Sequence, residues 1–208
     1  MIKTPALLPF VLALALAATP FLSSAQSLDG GDWIVRARAV YLKSVNKDST
    51  GLDLSINDKT LPEVDITRFF TPNIAAELIL TYPQRQTISA GGMPIGSLKH
   101  LPPVLTLQYH FTDLPGFRPY LGAGVNYTRF SDVRFNAATT TALQPSIKKN
   151  SFGLALQAGV DVPLGGGWLL NADVKKVRLA TDVSSFGNKA GNFAVDPWLL
   201  SVGFGRRF

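Results

Sequence analysis

Apolar and polar residues alternate along most of the chain. In the segment 33–42, one face carries Trp33, Val35, Ala37, Ala39 and Tyr41, and the other carries Ile34, Arg36, Arg38 and Val40. A period of two is that of a β-strand whose two faces meet different surroundings. The same alternation predicts eight strands, at 33–42, 63–70, 74–82, 103–111, 120–130, 151–162, 168–177 and 197–208.

The connections between the predicted strands fall into two length classes. Three are short, around Pro72, Pro115 and Gly165, and they alternate strictly with four long ones, at 43–60, 83–102, 131–150 and 178–196. Strands of about ten residues can cross a bilayer at a tilt. Short turns at one end and long loops at the other are typical of outer-membrane barrels. We therefore predict an all-β fold, an eight-stranded antiparallel transmembrane β-barrel.

The two faces of the predicted strands also differ in size and charge. The bulky aromatic residues share the apolar face, and most stand near strand ends: Trp33, Tyr82, Tyr109, Phe111, Tyr127, Phe152, Trp168, Trp198 and Phe208. This distribution is typical of aromatic girdles at the two membrane interfaces. We expect the apolar face to contact lipid and the polar face, which is rich in glycine, to line a narrow lumen.

Charged residues gather on the predicted lumen face. Because a charge inside a narrow barrel must be paired or hydrated, we expect a network in the periplasmic half of the barrel. Both a structural plug and a polar gate are compatible with this pattern. The predicted members are Arg36, Arg38, Glu63, Asp65, Glu77, Asp173 and Lys175.

The first 25 residues have the form of an export signal. Lys3 precedes the apolar run 7–18, and Ser23-Ser24-Ala25 places small residues where signal peptidase cleaves. That run is about half of the roughly 20 apolar residues that a spanning helix needs. Cleavage after Ala25 is therefore favoured over a retained membrane anchor, and we predict a signal peptide at 1–25 and one barrel domain at 26–208.

Composition limits which binding partners, cofactors and enzymatic activities are compatible with the sequence. The net charge is +6, without the contiguous Lys/Arg block that marks a nucleic-acid-binding tail. Outer-membrane lipid, with phosphate-bearing lipopolysaccharide, is the better partner for this cationic excess. There is no cysteine, and no metal-ligand spacing, phosphate loop or nucleophile elbow stands out. We predict neither a cofactor nor enzymatic activity; His100 is expected in a loop and His110 in the lumen.

Five segments resemble the OmpW family of outer-membrane proteins, which includes the AlkL-type alkane importers. They follow one another along the chain in the family's order: FFTPNIAAEL at 69–78, LPP at 101–103, RPYLGAGVNYT at 118–128, SFGLALQAGVD at 151–161 and DPW at 196–198. The resemblance implies uptake of small hydrophobic molecules through a narrow apolar upper lumen. It also implies a blocked lower lumen and sideways release into the membrane through an opening in the wall.

If the barrel works as this resemblance implies, the alternation of lumen-facing and lipid-facing residues selects candidates for two further roles. Candidates for the upper-lumen lining are Val40, Leu42, Val104, Val177 and Leu179; ordinary packing below the loops is the alternative for them. In the last strand, the predicted insertion signal, read by the barrel-assembly machinery, consists of Phe208, Phe204 and Val202.

Two other classes of protein are compatible with part of the pattern. Gly31-Asp32-Trp33 is similar to the start of lipocalins, which are soluble carriers. Lipocalins close with a helix, whereas this chain closes with a predicted strand. The other class is a barrel whose loops bind surface partners and which transports nothing.

Overall fold

The structure is a computed structural model that describes residues 32–208, and the predicted signal peptide lies outside the described residues. Eight long strands have the alternating burial that the sequence predicts. They are β1 (Trp33–Lys43), β4 (Lys59–Phe69), β5 (Ile74–Leu80), β8 (Val104–His110), β9 (Arg118–Phe135), β11 (Asn150–Gly165), β12 (Trp168–Val177) and β15 (Trp198–Arg207).

These strands pair antiparallel in the order β1–β4–β5–β8–β9–β11–β12–β15, and β15 pairs with β1 to close the barrel. Closure joins the first strand to the last, with Val35 opposite Arg206 and Lys43 opposite Trp198. The predicted eight-stranded antiparallel barrel is confirmed. Each strand lies within a few residues of its predicted position.

The long connections contain further structure that alternation did not predict. They hold β2 (Lys47–Asp48), β3 (Leu54–Ile56), β6 (Gln84–Ala90), β7 (Met93–Leu101), α1 (Ala137–Leu143), β10 (Pro145–Ile147), β13 (Ala180–Ser185) and β14 (Asn188–Ala194). Strand β9 continues past the barrel and pairs there with β7, which extends the sheet to β6 and β3. His100 lies in β7 and is buried, so its predicted position in a loop was wrong.

A second apolar core stands above the barrel, between these additions. The sheet β10–β13–β14–β2 faces the β9–β7–β6–β3 extension. Buried apolar side chains fill the space between the two: Leu54, Ile56, Ile88, Leu98, Phe130, Leu179, Val183, Phe193 and Val195. The long loops are thus packed against one another at this end of the barrel.

The short turns at the opposite end have local causes. Between β4 and β5, the Thr71 hydroxyl accepts a hydrogen bond from the Ile74 amide at 2.9 Å. Between β11 and β12, Gly165, Gly166 and Gly167 all have positive φ, at 94°, 60° and 79°. Glycine adopts this conformation without the steric cost that a Cβ brings, so three consecutive glycines reverse the chain tightly.

Burial decides which face of the barrel is outside. Leu154 and Leu156 in β11 are 65% and 62% exposed, whereas Arg36 in β1 is fully buried. The nine aromatic residues of the predicted girdles are all exposed as well. The apolar face therefore points outward, as predicted, and forms the continuous apolar surface that lipid requires. Within residues 32–208, no helix is long and apolar enough to cross a membrane.

Candidate functional site in the lumen

A charged network occupies the middle of the lumen, and Arg36 is at its centre. Its Nη1 lies 2.8 Å from Asp65 Oδ1, and its Nη2 lies 2.7 Å from Asp161 Oδ2. Nη1 also donates to the Thr67 hydroxyl at 2.8 Å. The Arg36 Nε also donates to Asp161 Oδ1 at 3.2 Å, so the guanidinium binds Asp161 through two bonds, the geometry in which arginine–carboxylate pairs are strongest, and binds Asp65 as well.

Arg38, two residues further along β1 on the same face, contacts Asp65 and two further carboxylates. Its Nη2 lies 2.7 Å from Glu63 Oε1, 2.9 Å from Asp65 Oδ2 and 3.1 Å from Glu77 Oε1. Asp65 thus bridges the two arginines. All four side chains are buried, so each charge depends on its partners rather than on water.

Lys175 and neutral donors complete the network from the other side of the barrel. The Lys175 ammonium pairs with Asp173 and lies 3.8 Å from Glu63. Gln157 Nε2 donates to both Glu77 and Asp173 at 2.7 Å. The seven predicted members of the charged cluster are therefore brought together in one connected set.

Glycine lies beneath the cross-lumen bonds. Gly159 in β11 is paired with Tyr120 on one side and Asp173 on the other. The Tyr120 hydroxyl donates to Asp173 Oδ2 at 2.8 Å over it. A Cβ on Gly159 would lie 2.4 Å from the Tyr120 ring, so only glycine leaves room for this bond.

Below the network, toward the short turns, lies a further layer of side chains. Ile34, Phe69 and Leu169 pack together there. The His110 ring lies between Phe69 and Tyr120, with ring centroids 4.8 Å from each. The charged network consequently does not reach the lower end of the barrel, and an apolar and aromatic layer lies beneath it.

Above the network, the lumen opens into a narrow cavity with mostly apolar walls. All five residues predicted for the upper-lumen lining surround it, and Glu63 of the network forms part of its floor. The cavity is small, with a volume of about 30 Å³, and it is partly open to solvent. The full lining is Val40, Leu42, Leu61, Glu63, Ile79, Thr81, Gln84, His100, Pro102, Val104, Asn126, Val177, Leu179, Pro197 and Leu199.

A second apolar cavity lies higher, in the core formed by the long connections. Residues from β3, β6, β7 and β13 surround it, among them Ile56, Ile88, Leu98 and Val183. Leu98 and His100 have the same parity in β7, and they face the upper and the lower cavity respectively. Two separate cavities with mostly apolar walls therefore lie above the charged floor.

The backbone pairing between β4 and β5 ends beside the lower cavity. Strands β4 and β5 pair only from Phe69–Ala75 to Val64–Leu80, although β4 continues to Lys59. Opposite that unpaired part, the chain leaves β5 toward β6, and Thr81 Oγ1 donates to the Pro62 carbonyl at 3.2 Å. We call the stretch between 59–63 and 81–84, which lacks backbone pairing, the seam. Leu61, Thr81 and Gln84 face the cavity from it.

Comparison with known proteins identifies the family of this barrel. The sequence model of the OmpW family matches residues 29–208. This chain belongs to the OmpW family. It is 35% identical to outer membrane protein W of Vibrio cholerae over 193 residues, which cover 86% of this chain and 89% of that protein.

Solved structures of OmpW-like barrels have the same fold. The crystal structure of the outer membrane protein OprG from Pseudomonas aeruginosa has a TM-score of 0.75 and 28% identity, with 86% of this chain and 96% of OprG covered. The solid-state NMR structure of outer membrane protein AlkL in DMPC lipid bilayers has a TM-score of 0.67 and 25% identity, with 91% and 96% covered. The predicted resemblance is confirmed.

Membership of the OmpW family sets the orientation of the molecule. The chain is an outer-membrane protein, and its barrel sits in the membrane lipid. In such barrels the short turns face the periplasm and the long connections face outward. The apolar cavity therefore lies in the outer half of this OmpW-family barrel, beside the seam.

Sequence reasoning missed several members of the network. Asp161, Tyr120 and Gln157 all have inward parity in their strands, which was the available signal. Tyr120 and Gln157 carry no charge, so a search for charged residues on the lumen face did not select them. Across residues 32–208, no group of three or more His, Asp or Glu side chains is arranged to hold a metal ion.

Proposed function

We propose that this OmpW-family barrel is a channel for the uptake of small hydrophobic molecules. The observation that carries the proposal is the apolar cavity directly above a charged floor. A hydrophobic solute is favoured in the cavity by burial of its apolar surface. It is opposed below by Arg38, Glu63 and Lys175, whose ion pairs it cannot replace. The solute is therefore expected to stay in the outer half of the lumen and not to enter the lower half.

The seam supplies the exit. A solute that cannot pass the charged floor leaves through the wall, between 59–63 of β4 and 81–84. Leaving here exposes the solute to lipid tails and not to water, so its apolar surface stays in apolar surroundings. Pro62 has no backbone N–H to donate. A strand that paired with β4 here would therefore form one hydrogen bond fewer, which favours an unpaired edge. The charged network acts as a plug in this proposal.

Filling the cavity tests the uptake proposal. Val40→Trp places an indole in the lumen, and we expect uptake of n-octane by intact cells to fall to the rate of cells without the protein. Val35→Trp, on the same strand but 39% exposed toward lipid, is the matched control and should leave uptake unchanged. Both variants must show the mobility shift on heating that marks a folded barrel. Undiminished uptake by a folded Val40→Trp barrel would refute the proposal.

Blocking the seam tests the exit separately. The sequence has no cysteine, so Thr81→Cys can be labelled alone with pyrene maleimide after assembly. We expect labelling to slow octane uptake several-fold, because the pyrene occupies the gap beside Pro62. Thr87→Cys, on β6 and away from the cavity lining, is the control. Equal uptake by labelled and unlabelled Thr81→Cys would argue for an exit elsewhere.

Two partners act on the outer surface of the barrel in this proposal. Lys43, Trp198 and Lys176 stand side by side on β1, β15 and β12, and the Lys176 ammonium lies 5.0 Å from the Trp198 ring centroid. This row suits the phosphates of lipopolysaccharide above an interfacial aromatic. The exposed side chains of Phe208, Phe204 and Val202 suit recognition of the last strand by the barrel-assembly machinery.

We also infer that the protein performs no catalysis. His110, the one histidine inside the barrel, is held between two aromatic rings, and its Nε2 lies 2.9 Å from Gln108 Oε1. A histidine packed in this way has a structural role. The other histidine, His100, lies against the cavity, where its surroundings point to binding.

A further inference from the structure

Two polar side chains interrupt the apolar wall of the lower cavity at its outer end. Gln84 in β6 and His100 in β7 are directly opposite each other in the strand pairing. Each is 1% exposed, and both line the cavity. Side chains of directly opposite residues on one face lie close enough to act on the same group. The pair therefore forms one polar spot in a cavity whose remaining polar lining residues are Glu63, Thr81 and Asn126.

The hydrogen-bonding capacity of this pair is largely unused by the protein. Gln84 Nε2 donates to the Tyr82 carbonyl at 2.9 Å, which fixes the amide with its Oε1 free. Among residues 32–208, neither Gln84 Oε1 nor either ring nitrogen of His100 has a hydrogen-bond partner. Buried polar atoms without a partner are costly and uncommon in folded proteins. Their accumulation at one point of a cavity indicates a ligand group that would satisfy them.

The charge state of His100 limits which group this can be. His100 lies outside the eight barrel strands, and burial together with the nearby Lys59 ammonium lowers its pKa to about 4. The ring is neutral at pH 7, with one nitrogen donating and the other accepting. The spot thus offers one N–H donor and two acceptors, Gln84 Oε1 and the second ring nitrogen.

We propose that Gln84 and His100 bind the hydroxyl group of an otherwise apolar, neutral ligand, such as an aliphatic alcohol, in the cavity. The inference deepens the proposed uptake function and rests on it. The ring N–H donates to the ligand oxygen, and the ligand O–H donates to Gln84 Oε1. A hydroxyl is a donor and an acceptor at once, so one small group satisfies an atom of each side chain. The hydrocarbon tail then lies toward Val40 and Val104.

Other ligand classes match the spot less well. A hydrocarbon leaves all three atoms without partners. The Lys59 ammonium would attract a carboxylate. However, the carboxylate would face the Gln84 oxygen, and the neutral His100 ring would offer it a single donor and no charge. A cationic amine is repelled by Lys59, whose ammonium acts on His100. The preferred order is alcohol before alkane before carboxylate of the same chain length.

The test compares 1-octanol, n-octane and octanoate on the full-length mature barrel in lipid nanodiscs. Binding is followed by the methyl NMR shifts of the cavity valines and leucines, and empty nanodiscs correct for partition into lipid. We expect His100→Leu to weaken 1-octanol about tenfold, the effect of losing one or two neutral hydrogen bonds, and to leave octane unchanged or tighter. Gln84→Leu should act in the same direction.

Gln86→Leu is the matched control, because Gln86 is buried on the same face of β6 but does not line the cavity. Its octanol-to-octane ratio should equal that of the wild type. If the wild type binds both ligands and His100→Leu leaves their ratio unchanged, water alone satisfies the pair, and the hydroxyl site is refuted while the hydrophobic cavity stands. If the wild type binds neither ligand, the uptake proposal itself fails.

Discussion

Replacing Arg36 with methionine is expected to destabilise the folded barrel by about 3–5 kcal/mol, the usual cost of removing one partner of a buried ion pair. Methionine nearly preserves the volume of the side chain but carries no charge. Asp65 and Asp161 then lose the guanidinium that lies 2.8 and 2.7 Å from them. Because both carboxylates are buried, water cannot replace it cheaply.

The measurement is urea unfolding of the purified barrel in lipid vesicles, followed by the mobility difference between folded and unfolded protein. Arg129→Met, on the outer surface of β9, should shift the midpoint little. The double variant Arg36→Met, Asp161→Asn should recover part of the loss, since it removes one of the stranded charges. An unchanged midpoint for Arg36→Met would mean that the network contributes no net stability.

The barrel itself could be predicted because the features that produce it repeat regularly along the sequence. A strand that separates lipid from a lumen must alternate, and a chain that crosses the membrane eight times must sort its turns by end. Parity alone placed Arg36, Glu63 and Lys175 on one face. The alternation could not show which partner each of them binds, because this depends on side-chain length and on the curvature that closes β15 onto β1.

The upper part of the molecule was harder to predict, for a physical reason. Residues 84–90 and 93–101 form strands that are not sorted between lipid and lumen, so their polarity follows local packing. His100 therefore gives no periodic signal, although its neighbour in the pairing, Gln84, has the same burial. The seam was equally hidden, because it is defined by where pairing stops at Val64–Leu80.

The positions of two lumen-facing glycines are explained by the residues with which they pair on the neighbouring strands. Gly203 in β15 lies between Arg38 of β1 and Asn171 of β12, which are its pairing partners. Arg38 Nη1 donates to Asn171 Oδ1 at 3.3 Å, over the glycine. Gly159 has the same position beneath the bond between Tyr120 and Asp173. At both positions, a glycine on the lumen face leaves room for a bond between side chains of the two neighbouring strands.

Gly203→Val should consequently prevent stable closure of the barrel. A Cβ at this position would lie 2.1 Å from the Ala37 carbonyl oxygen and 2.7 Å from Arg38 Cα. These are backbone atoms of the paired strand, so no rotamer change relieves the contact. Overpacking costs about 1–3 kcal/mol and occasionally more, and here it also separates the two strands that close the barrel. We expect little heat-shifting folded protein in the outer membrane.

The adjacent position supplies the control for this prediction. Val202→Ile adds a methylene on the lipid-facing side, where Val202 is 61% exposed, and should assemble normally. Removing the facing guanidinium with Arg38→Met should not rescue Gly203→Val, because the clash is with the backbone of β1. Rescue by Arg38→Met would show instead that the glycine makes room for the arginine side chain alone, and that β1 and β15 can separate without loss of the barrel.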